Sequence, residues 1–258
     1  MIFYFTPPNI LPKTNRKYKK WLKSLRNRPV PWNKELTKQN SPSVAKISET
    51  LKKKKIDNFA NWRAKMIATG KILVNHPPLK KSGDLAELIG VTLGDGHLGK
   101  FPRTEVLAIF SNVKNKGFIK RYSLLIGKIF KKKVSNTKHG SGCTKISIYQ
   151  KNISKRLDIP MGARGELNLP IPAWVKKNKK YLKRYLRGLY EAEGSFCVHK
   201  GTYTYKFLFS NQNESLLKNV YDGMKILGFH PHGSKHQIQI SRKEEVYSAI
   251  KLLEFRKY

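Results

Sequence analysis

The sequence contains the same nine-residue pattern twice, 98 residues apart. The two copies are residues 88–96, LIGVTLGDG, and residues 186–194, LRGLYEAEG. Each copy has glycine at its third position, a small residue at its seventh, an acid at its eighth and glycine at its ninth. Small residues four positions apart share one face of a helix and allow two backbones to approach closely. The pattern therefore predicts two similar helices that pack together and end in an acid.

Each copy heads the same predicted order of elements: helix, two strands, helix, two strands and helix. This order extends over residues 84–157 and again over residues 179–254. Self-similarity of this kind indicates an internal duplication. The sequence therefore predicts an α+β fold of two pseudo-symmetric αββαββα halves, residues 81–165 and 166–258. A basic extension, residues 1–80, precedes them.

The charge of the chain indicates the kind of partner. The 258 residues include 53 Lys and Arg against 16 Asp and Glu, a formal net charge of +37. Such a basic excess indicates a polyanion, most often nucleic acid, and argues against an ordinary metabolic enzyme. Since 39% of the residues are apolar, the chain can still bury a core. The extension is the most densely basic part, and we expect it to be an accessory DNA-binding arm.

The motif acids Asp95 and Glu193 are predicted to lie at the ends of two adjacent helices. Two carboxylates held close together repel each other unless cations lie between them. Divalent metal ions meet this need, and hard oxygen ligands favour Mg²⁺. The paired motifs therefore predict a magnesium site.

With a motif at the head of each matching half, residues 84–258 resemble the LAGLIDADG homing endonucleases in their single-chain form. The resemblance implies two antiparallel sheets that form a saddle over the major groove of a long DNA duplex. It implies that Asp95 and Glu193, with Gly94 and Ala192, hold two or more Mg²⁺ or Mn²⁺ ions. Each acid then serves the cutting of one strand across the minor groove, which leaves short 3′ overhangs. Glutamate in the second motif departs from the family's aspartate, so unequal cutting of the two strands is expected.

The resemblance also implies further catalytic residues. Asn112 and Asn211, each at the end of a Phe-Ser-Asn triplet, occupy equivalent strand ends in the two halves. They are expected either to orient solvent near the metals or to cap the following helix. The family often has a lysine after the last helix of a half, and Arg164 and Lys257 are the candidates here. Arginine stays charged, which weighs against proton transfer by Arg164.

Strand alternation selects the side chains that would face DNA. In residues 236–240, Gln237 and Gln239 share one face, opposite to the isoleucines between and after them. Amide side chains suit adenine edges, whereas the apolar face suits packing on helices. The predicted DNA contacts are Lys100, Arg103, Lys138, Lys145, Ser147, Tyr149, Lys200, Thr204, Lys206, Lys235, Gln237 and Gln239.

Two other functions are compatible with the same fold: an intron RNA maturase and a non-catalytic DNA-binding regulator. Both motif acids are present, which favours a nuclease encoded within an intron or as a free-standing mobile gene. An intein is disfavoured, because the chain ends in Arg-Lys-Tyr instead of the residues that protein splicing needs. The sequence shows neither a signal peptide nor 18 consecutive apolar residues. We therefore expect an intracellular monomer, in the cytoplasm or in an organelle.

Overall fold

The computed structural model describes residues 16–57, 59–72, 74–140 and 142–258. The chain divides into two compact units, residues 1–74 and residues 75–258. The first fifteen residues of the basic extension lie outside the described residues. None of the helices in the described ranges is long and apolar enough to cross a membrane.

The described residues of the first unit form three helices: α1 (Arg16–Arg26), α2 (Pro42–Lys53) and α3 (Ala60–Ala68). Helix α2 begins after Ser41, whose side chain accepts a hydrogen bond from the main-chain N–H of Val44. In the described part of this unit no apolar side chain is buried, and Trp32 and Phe59 are among the exposed aromatic residues. The buried core of the described chain therefore belongs to the second unit.

The second unit repeats one order of elements. Its first half comprises α4 (Gly83–Asp95), β1 (Gly96–Phe101), β2 (Thr104–Asn112), α5 (Lys116–Phe130), β3 (Ser135–His139), β4 (Cys143–Gln150) and α6 (Ile153–Leu157). A short helix, α7 (Ala173–Lys176), follows in the connection. The second half comprises α8 (Lys179–Glu193), β5 (Gly194–His199), β6 (Thr204–Ser210), α9 (Glu214–Ile226), β7 (His232–Ser234), β8 (Gln237–Ile240) and α10 (Lys243–Leu253). The predicted order is confirmed in both halves.

Each half folds its four strands into an antiparallel sheet, in the orders β1-β2-β4-β3 and β5-β6-β8-β7. One face of each sheet carries buried apolar side chains, among them Leu107 and Ile148 in the first sheet and Phe207 and Ile240 in the second. These side chains belong to one continuous core with the helices. The opposite face is called the open face below. The two sheets and the helices packed on them confirm the predicted α+β class.

Helices α4 and α8 pack together along the two motifs. A Cβ atom added to Gly90 would lie 2.2 Å from the main-chain oxygen of Tyr185 in α8. A Cβ atom added to Gly188 would lie 2.2 Å from the main-chain oxygen of Glu87 in α4. Real atoms cannot approach so closely, so the two helices meet only because both positions are glycine. The predicted close approach is therefore present from both sides.

Candidate active site and nucleic-acid interface

Asp95 and Glu193 are the last residues of α4 and α8, and both are partly buried. The residues before them meet, since a Cβ atom added to Gly94 would lie 2.5 Å from Ala192 Cβ and 3.2 Å from Glu193 Cγ. The end of a helix also carries partial negative charge from its carbonyl groups. The structure thus brings the two predicted acids together at a site of negative electrostatic potential.

The electrostatics of the pair explain what could bind there. Burial, and to a smaller extent the negative charge of Glu193, raise the pKa of Asp95 to about 7. Burial also raises the pKa of Glu193. No cationic side chain in the described ranges acts on either of these pKa values. Two such carboxylates suit a divalent cation, because the cation would supply the positive charge that the neighbouring side chains do not.

The donor set at this place is small. The described residues contain no group of three or more His, Cys, Asp or Glu side chains that could hold a metal ion. A cation between Asp95 and Glu193 would therefore complete its shell with main-chain oxygens, water or substrate oxygens. Mg²⁺ commonly binds in this way, through one or two carboxylates together with phosphate and water. The residues present fit the predicted metal.

Two arginines hold the chain just after the acids. Arg164 donates from Nη2 to the main-chain oxygens of Thr92, at 3.1 Å, and Gly96, at 2.5 Å. Arg256 donates from Nη2 to the main-chain oxygen of Gly194, at 3.2 Å. Since Gly96 and Gly194 each follow a motif acid, Arg256 is the counterpart of Arg164 in the second half. Lys257 was predicted for this place, and its main-chain oxygen instead accepts a hydrogen bond from Arg187, at 3.0 Å.

The two Phe-Ser-Asn triplets are not structurally equivalent. Gly96 pairs with Ile109 across a hairpin with two loop residues, 102–103, whereas Gly194 pairs with Phe209 across a hairpin with four, 200–203. Counted from these pairs, the position of Asn211 in the second half corresponds to Ser111 in the first. The expected equivalence of Asn112 and Asn211 is thus off by one residue, which reverses the face of the strand that each side chain occupies.

The two asparagines accordingly have different neighbours. Asn211 donates from Nδ2 to Glu193 Oε1 at 3.4 Å, and its Oδ1 accepts from the main-chain N–H of Asn213 at 2.8 Å. Asn112 is exposed, and its Oδ1 accepts from the main-chain N–H of Lys114 at 2.9 Å. Asn211 therefore contacts the motif acid and closes a turn, but it does not cap the following helix, because the cap of α9 is Asn213. Asn112 likewise closes a turn and does not cap the following helix, because the N-cap position of α5 is Asn115.

A cleft of about 530 Å³ opens beside Glu193. Arg164, Asn211 and His236 contribute to its lining. Nη1 of Arg164 is buried and has no hydrogen-bond partner among the described residues, and burial lowers the pKa of this guanidinium. The cleft is therefore lined by an acid, an amide and a guanidinium side chain. Such a set suits a phosphate group.

The chain has two αββαββα halves. The motif helices of the two halves contact each other, and each of these helices ends in an acid. The chain has the LAGLIDADG fold. No family model matches the sequence. The fold is identified from the strand order of the two sheets and from the contact between the two motif helices.

Solved structures of LAGLIDADG proteins resemble the chain over about two thirds of its length. Variants of the homing endonuclease I-DmoI are 17% identical and cover 66% of this chain and 94% of theirs, with a TM-score of 0.47. The meganuclease I-AabMI, bound to uncleaved DNA, is 14% identical over 67% of this chain and 83% of its own, with a TM-score of 0.43. The N-terminal LAGLIDADG domain of DUF199/WhiA is 16% identical over 67% and 82%, with a TM-score of 0.46. At these sequence identities and TM-scores, the structural likeness does not indicate an activity for this chain.

Two curated relatives match part of the chain. The tRNA-splicing ligase RtcB of Pyrococcus furiosus is 28% identical over 137 residues, which cover 47% of this chain and 14% of the relative. The same protein of Methanopyrus kandleri is 25% identical over 135 residues, which cover 46% and 14%. The chain therefore spans about one seventh of the length of these relatives.

The LAGLIDADG sheets place most of the predicted DNA contacts on their open faces. In the second sheet the strand pairing puts Thr204, Lys206, Gln237 and Gln239 on that face. Lys200 and Lys235 lie in the hairpin turns beside it. Further residues on the same face were not predicted, among them His199, Cys197 and His232, which the pairing aligns with Thr204, Lys206 and Gln239.

In the first sheet the pairing puts Lys145, Ser147 and Tyr149 on the open face, as predicted. Arg103 lies in the turn between β1 and β2. Lys100 pairs with Glu105, and Lys138 with Thr144, so both lysines point toward the helix-packed face of the sheet. Both lie near strand ends and are exposed. The alternation of single strands could have shown this, because Lys100 is two residues after the buried Leu98.

Proposed function

We propose that the protein is a site-specific DNA endonuclease that uses a divalent metal to cut both strands of a long duplex target and leaves short 3′ overhangs. The observation that supports this most strongly is the pair of adjacent, partly buried motif acids whose pKa values are raised by burial and are not lowered by any cationic side chain of the described residues. Such an arrangement destabilises the folded protein unless it binds cations, which is typical of functional sites. The net charge of +37 supports a polyanionic substrate.

In this proposal Asp95 and Glu193 hold Mg²⁺ or Mn²⁺, with oxygen atoms of Gly94 and Ala192 as further ligands. The bound metals would supply activated water and would neutralise the charge that develops on the phosphate. Asn211 would orient the Glu193 carboxylate through its amide. Arg164 and Arg256 would fix the chain after each acid, and Arg164 would also face the phosphate with its spare donor. Asn112 and Lys257 remain predicted contributors on the resemblance alone.

The proposed partner is duplex DNA, read by the open faces of the two sheets. Because one chain carries both acids, we propose that a monomer is sufficient to cut two strands. The two nuclease halves would be residues 81–165 and 166–258, with residues 1–80 as an accessory arm on flanking DNA. A protein with this substrate would work inside the cell.

A cleavage experiment tests the proposal. The full chain and its Asp95→Asn and Glu193→Gln variants are incubated with a randomised duplex library and Mg²⁺, and the new ends are sequenced. We expect discrete ends with 3′ overhangs for the unmodified chain and none for either variant, while all three bind duplex. Equal cutting by the variants would contradict the assignment of the acids. Duplex bound without cutting would support a regulator, and preference for a structured intron RNA would support a maturase.

The accessory arm has its own test in the salt dependence of binding. Helix α1 carries Arg16, Lys19, Lys20, Lys23 and Arg26 and no acid in its first turn. For each phosphate that the protein no longer neutralises, the slope of log K against log salt falls by about 0.9. Lys19→Gln with Lys20→Gln and Lys23→Gln should therefore lower the slope by about two to three. An unchanged slope would remove α1 from the DNA interface.

A further inference from the structure

The open faces of the two sheets differ in chemistry at equivalent places. Phe101 corresponds to His199, because each pairs with the threonine that begins the next strand. By the same count Val106 corresponds to Lys206, and Phe110 corresponds to Ser210. At three places, therefore, an apolar side chain in the first sheet stands where the second sheet has a polar one.

The apolar side chains of the first sheet form a patch at its hairpin end. The rings of Phe101 and Tyr149 lie 5.7 Å apart, and they are 47% and 40% exposed. Val106 lies between Gly99 and Tyr149 in the strand pairing and is buried, so Phe101 and Tyr149 supply the exposed surface. This set, Phe101, Val106 and Tyr149, is called the apolar patch below. Exposed aromatic rings in contact with each other on a sheet face indicate a surface that another molecule covers.

The second sheet offers hydrogen-bonding groups at the same end. His199 contacts the hydroxyl of Thr202 through Nδ1 at 3.0 Å, and Lys206 lies next to Cys197 in the pairing. Gln237 and Gln239 continue this polar surface on the neighbouring strand. Groups of this kind discriminate among bases through donors and acceptors on their edges.

We propose that the apolar patch reads 5-methylpyrimidines in the major groove, whereas the second sheet reads its half of the target by hydrogen bonds. The inference rests on the proposed binding of duplex DNA by the open faces. In the major groove the C5 methyl group of thymine is the apolar group on a standard base edge, and 5-methylcytosine carries the same group. An apolar patch that contacted a base edge without a methyl group would leave the polar atoms of that edge without partners.

The position of the patch sets where these bases lie. Phe101 is five residues beyond Gly96, which follows the motif acid, so it lies about 17 Å along the strand. At about 3.4 Å per base pair, this distance corresponds to roughly five base pairs from the centre of the target.

Two binding selections test the inference without requiring cleavage. The full chain selects from one randomised duplex library made with thymine and from a second made with deoxyuridine, which lacks the methyl group. We expect one flank of the selected site to be rich in thymine in the first library and to lose that preference in the second. The opposite flank should keep its consensus. Individual thymine-to-uracil changes in the sensitive flank should weaken binding about three- to fivefold each.

Matched variants assign the sensitive flank to the patch. Phe101→His introduces the residue of the second sheet and should abolish the response to uracil, whereas Phe101→Leu should keep it. His199→Phe should leave the response of the first flank unchanged. Replacement of an unmethylated cytosine in that flank by 5-methylcytosine should strengthen binding, which separates recognition of the methyl group from recognition of thymine as a base.

The outcomes distinguish this inference from the proposed function. Equal responses of both flanks to uracil, or no response in either, would overturn the inference even if the protein cuts DNA. A methyl-dependent flank in a protein that never cuts would uphold the inference and contradict the nuclease. A duplex consensus that Phe101→His leaves fully sensitive to uracil would also overturn the role of the patch.

Discussion

The two ends of the paired motif helices carry acids in opposite circumstances. At the beginning of α4, Glu87 is fully buried and receives two hydrogen bonds from Arg121, at 2.6 and 2.8 Å, and another from Arg184. At the other end, about 12 Å from Glu87 by helix geometry, Asp95 and Glu193 lie close together, and no cationic side chain from the described residues lowers their pKa values. The matched acid stabilises the fold, whereas the unmatched acids cost stability and are free to bind a cation.

The ion pairs at the matched end connect the two halves. Asp84 binds Arg184 at 2.7 Å and Lys128 at 2.6 Å, and these contacts lower its pKa although burial acts in the opposite direction. Arg187, only 1% exposed, binds Glu254 of the second half. The same pair of helices therefore uses charge for assembly at one end and leaves it uncompensated at the other.

The largest effect is expected at the matched end, for Glu87→Ala. The variant would leave Arg121 and Arg184 without their buried partner, which should lower the free energy of unfolding by about 3–5 kcal/mol. Urea denaturation monitored by circular dichroism measures this change. Asp222→Ala, which removes an exposed pair with Lys218, is the control and should cost less than about 1 kcal/mol. Equal effects of the two variants would remove the contrast between matched and surface charges.

A smaller effect is expected between the two ends, for Gly188→Ala. The added methyl group would lie 2.2 Å from the main-chain oxygen of Glu87, so the helices must separate. Such overpacking typically costs about 1–3 kcal/mol. Gly165→Ala, which meets no atom within 4 Å, should change stability little. Thermal denaturation of both variants measures the difference, and similar midpoints would show that the helices do not depend on close contact.

At the unmatched end, Asp95→Asn should stabilise the metal-free protein. The pKa of Asp95 is raised from 3.8 to about 7, so the folded state binds more protons than the unfolded state between about pH 4 and 7. The stability of the unmodified chain should fall as the pH rises through this window. The variant should gain about 1–2 kcal/mol above pH 7, after allowance for partial exposure, and nothing near pH 4. Melting curves in a chelator decide this, and a gain independent of pH would contradict the stated cause.

The smallest effect is expected for Asn211→Asp. The carboxylate keeps an oxygen for the Asn213 N–H but loses the amide donor to Glu193. Loss of one long hydrogen bond should slow nicking of one strand by roughly fivefold, or about 1 kcal/mol. Ser111→Ala, at the corresponding position of the first half, should leave both strands unaffected. Duplexes labelled on either strand report the two rates, and equal slowing of both would show that the halves share Asn211.

The sequence predicted those features that depend on local pattern. The αββαββα order, the contact of the glycines and the pairing of Asp95 with Glu193 follow from periodicity and from the duplication. The sequence did not show that Asn112 and Asn211 are displaced by one residue relative to each other. This displacement depends on the different lengths of the two hairpin loops, and the matching Phe-Ser-Asn triplets give no sign of that difference. Arg256 was not predicted to contact the chain after the motif acid. It is next to Lys257 in the sequence, and because adjacent side chains point in different directions, the sequence does not show which of the two contacts Gly194. The partners of Glu87 lie 34 and 97 residues away, and no periodicity links them.

The buried charges of α4 and α8 also limit how such a protein can be recombined. A duplicated architecture invites the exchange of one half for that of a relative with a different target. Here an incoming first half would have to bring an acid for Arg184, and an incoming second half would have to bring an arginine for Glu87. A chimaera whose incoming first half lacks such an acid would leave the Arg184 guanidinium without a partner at the interface, whereas Glu87 would keep Arg121 of its own half. Grafts confined to the strands of one sheet would leave that ion paired.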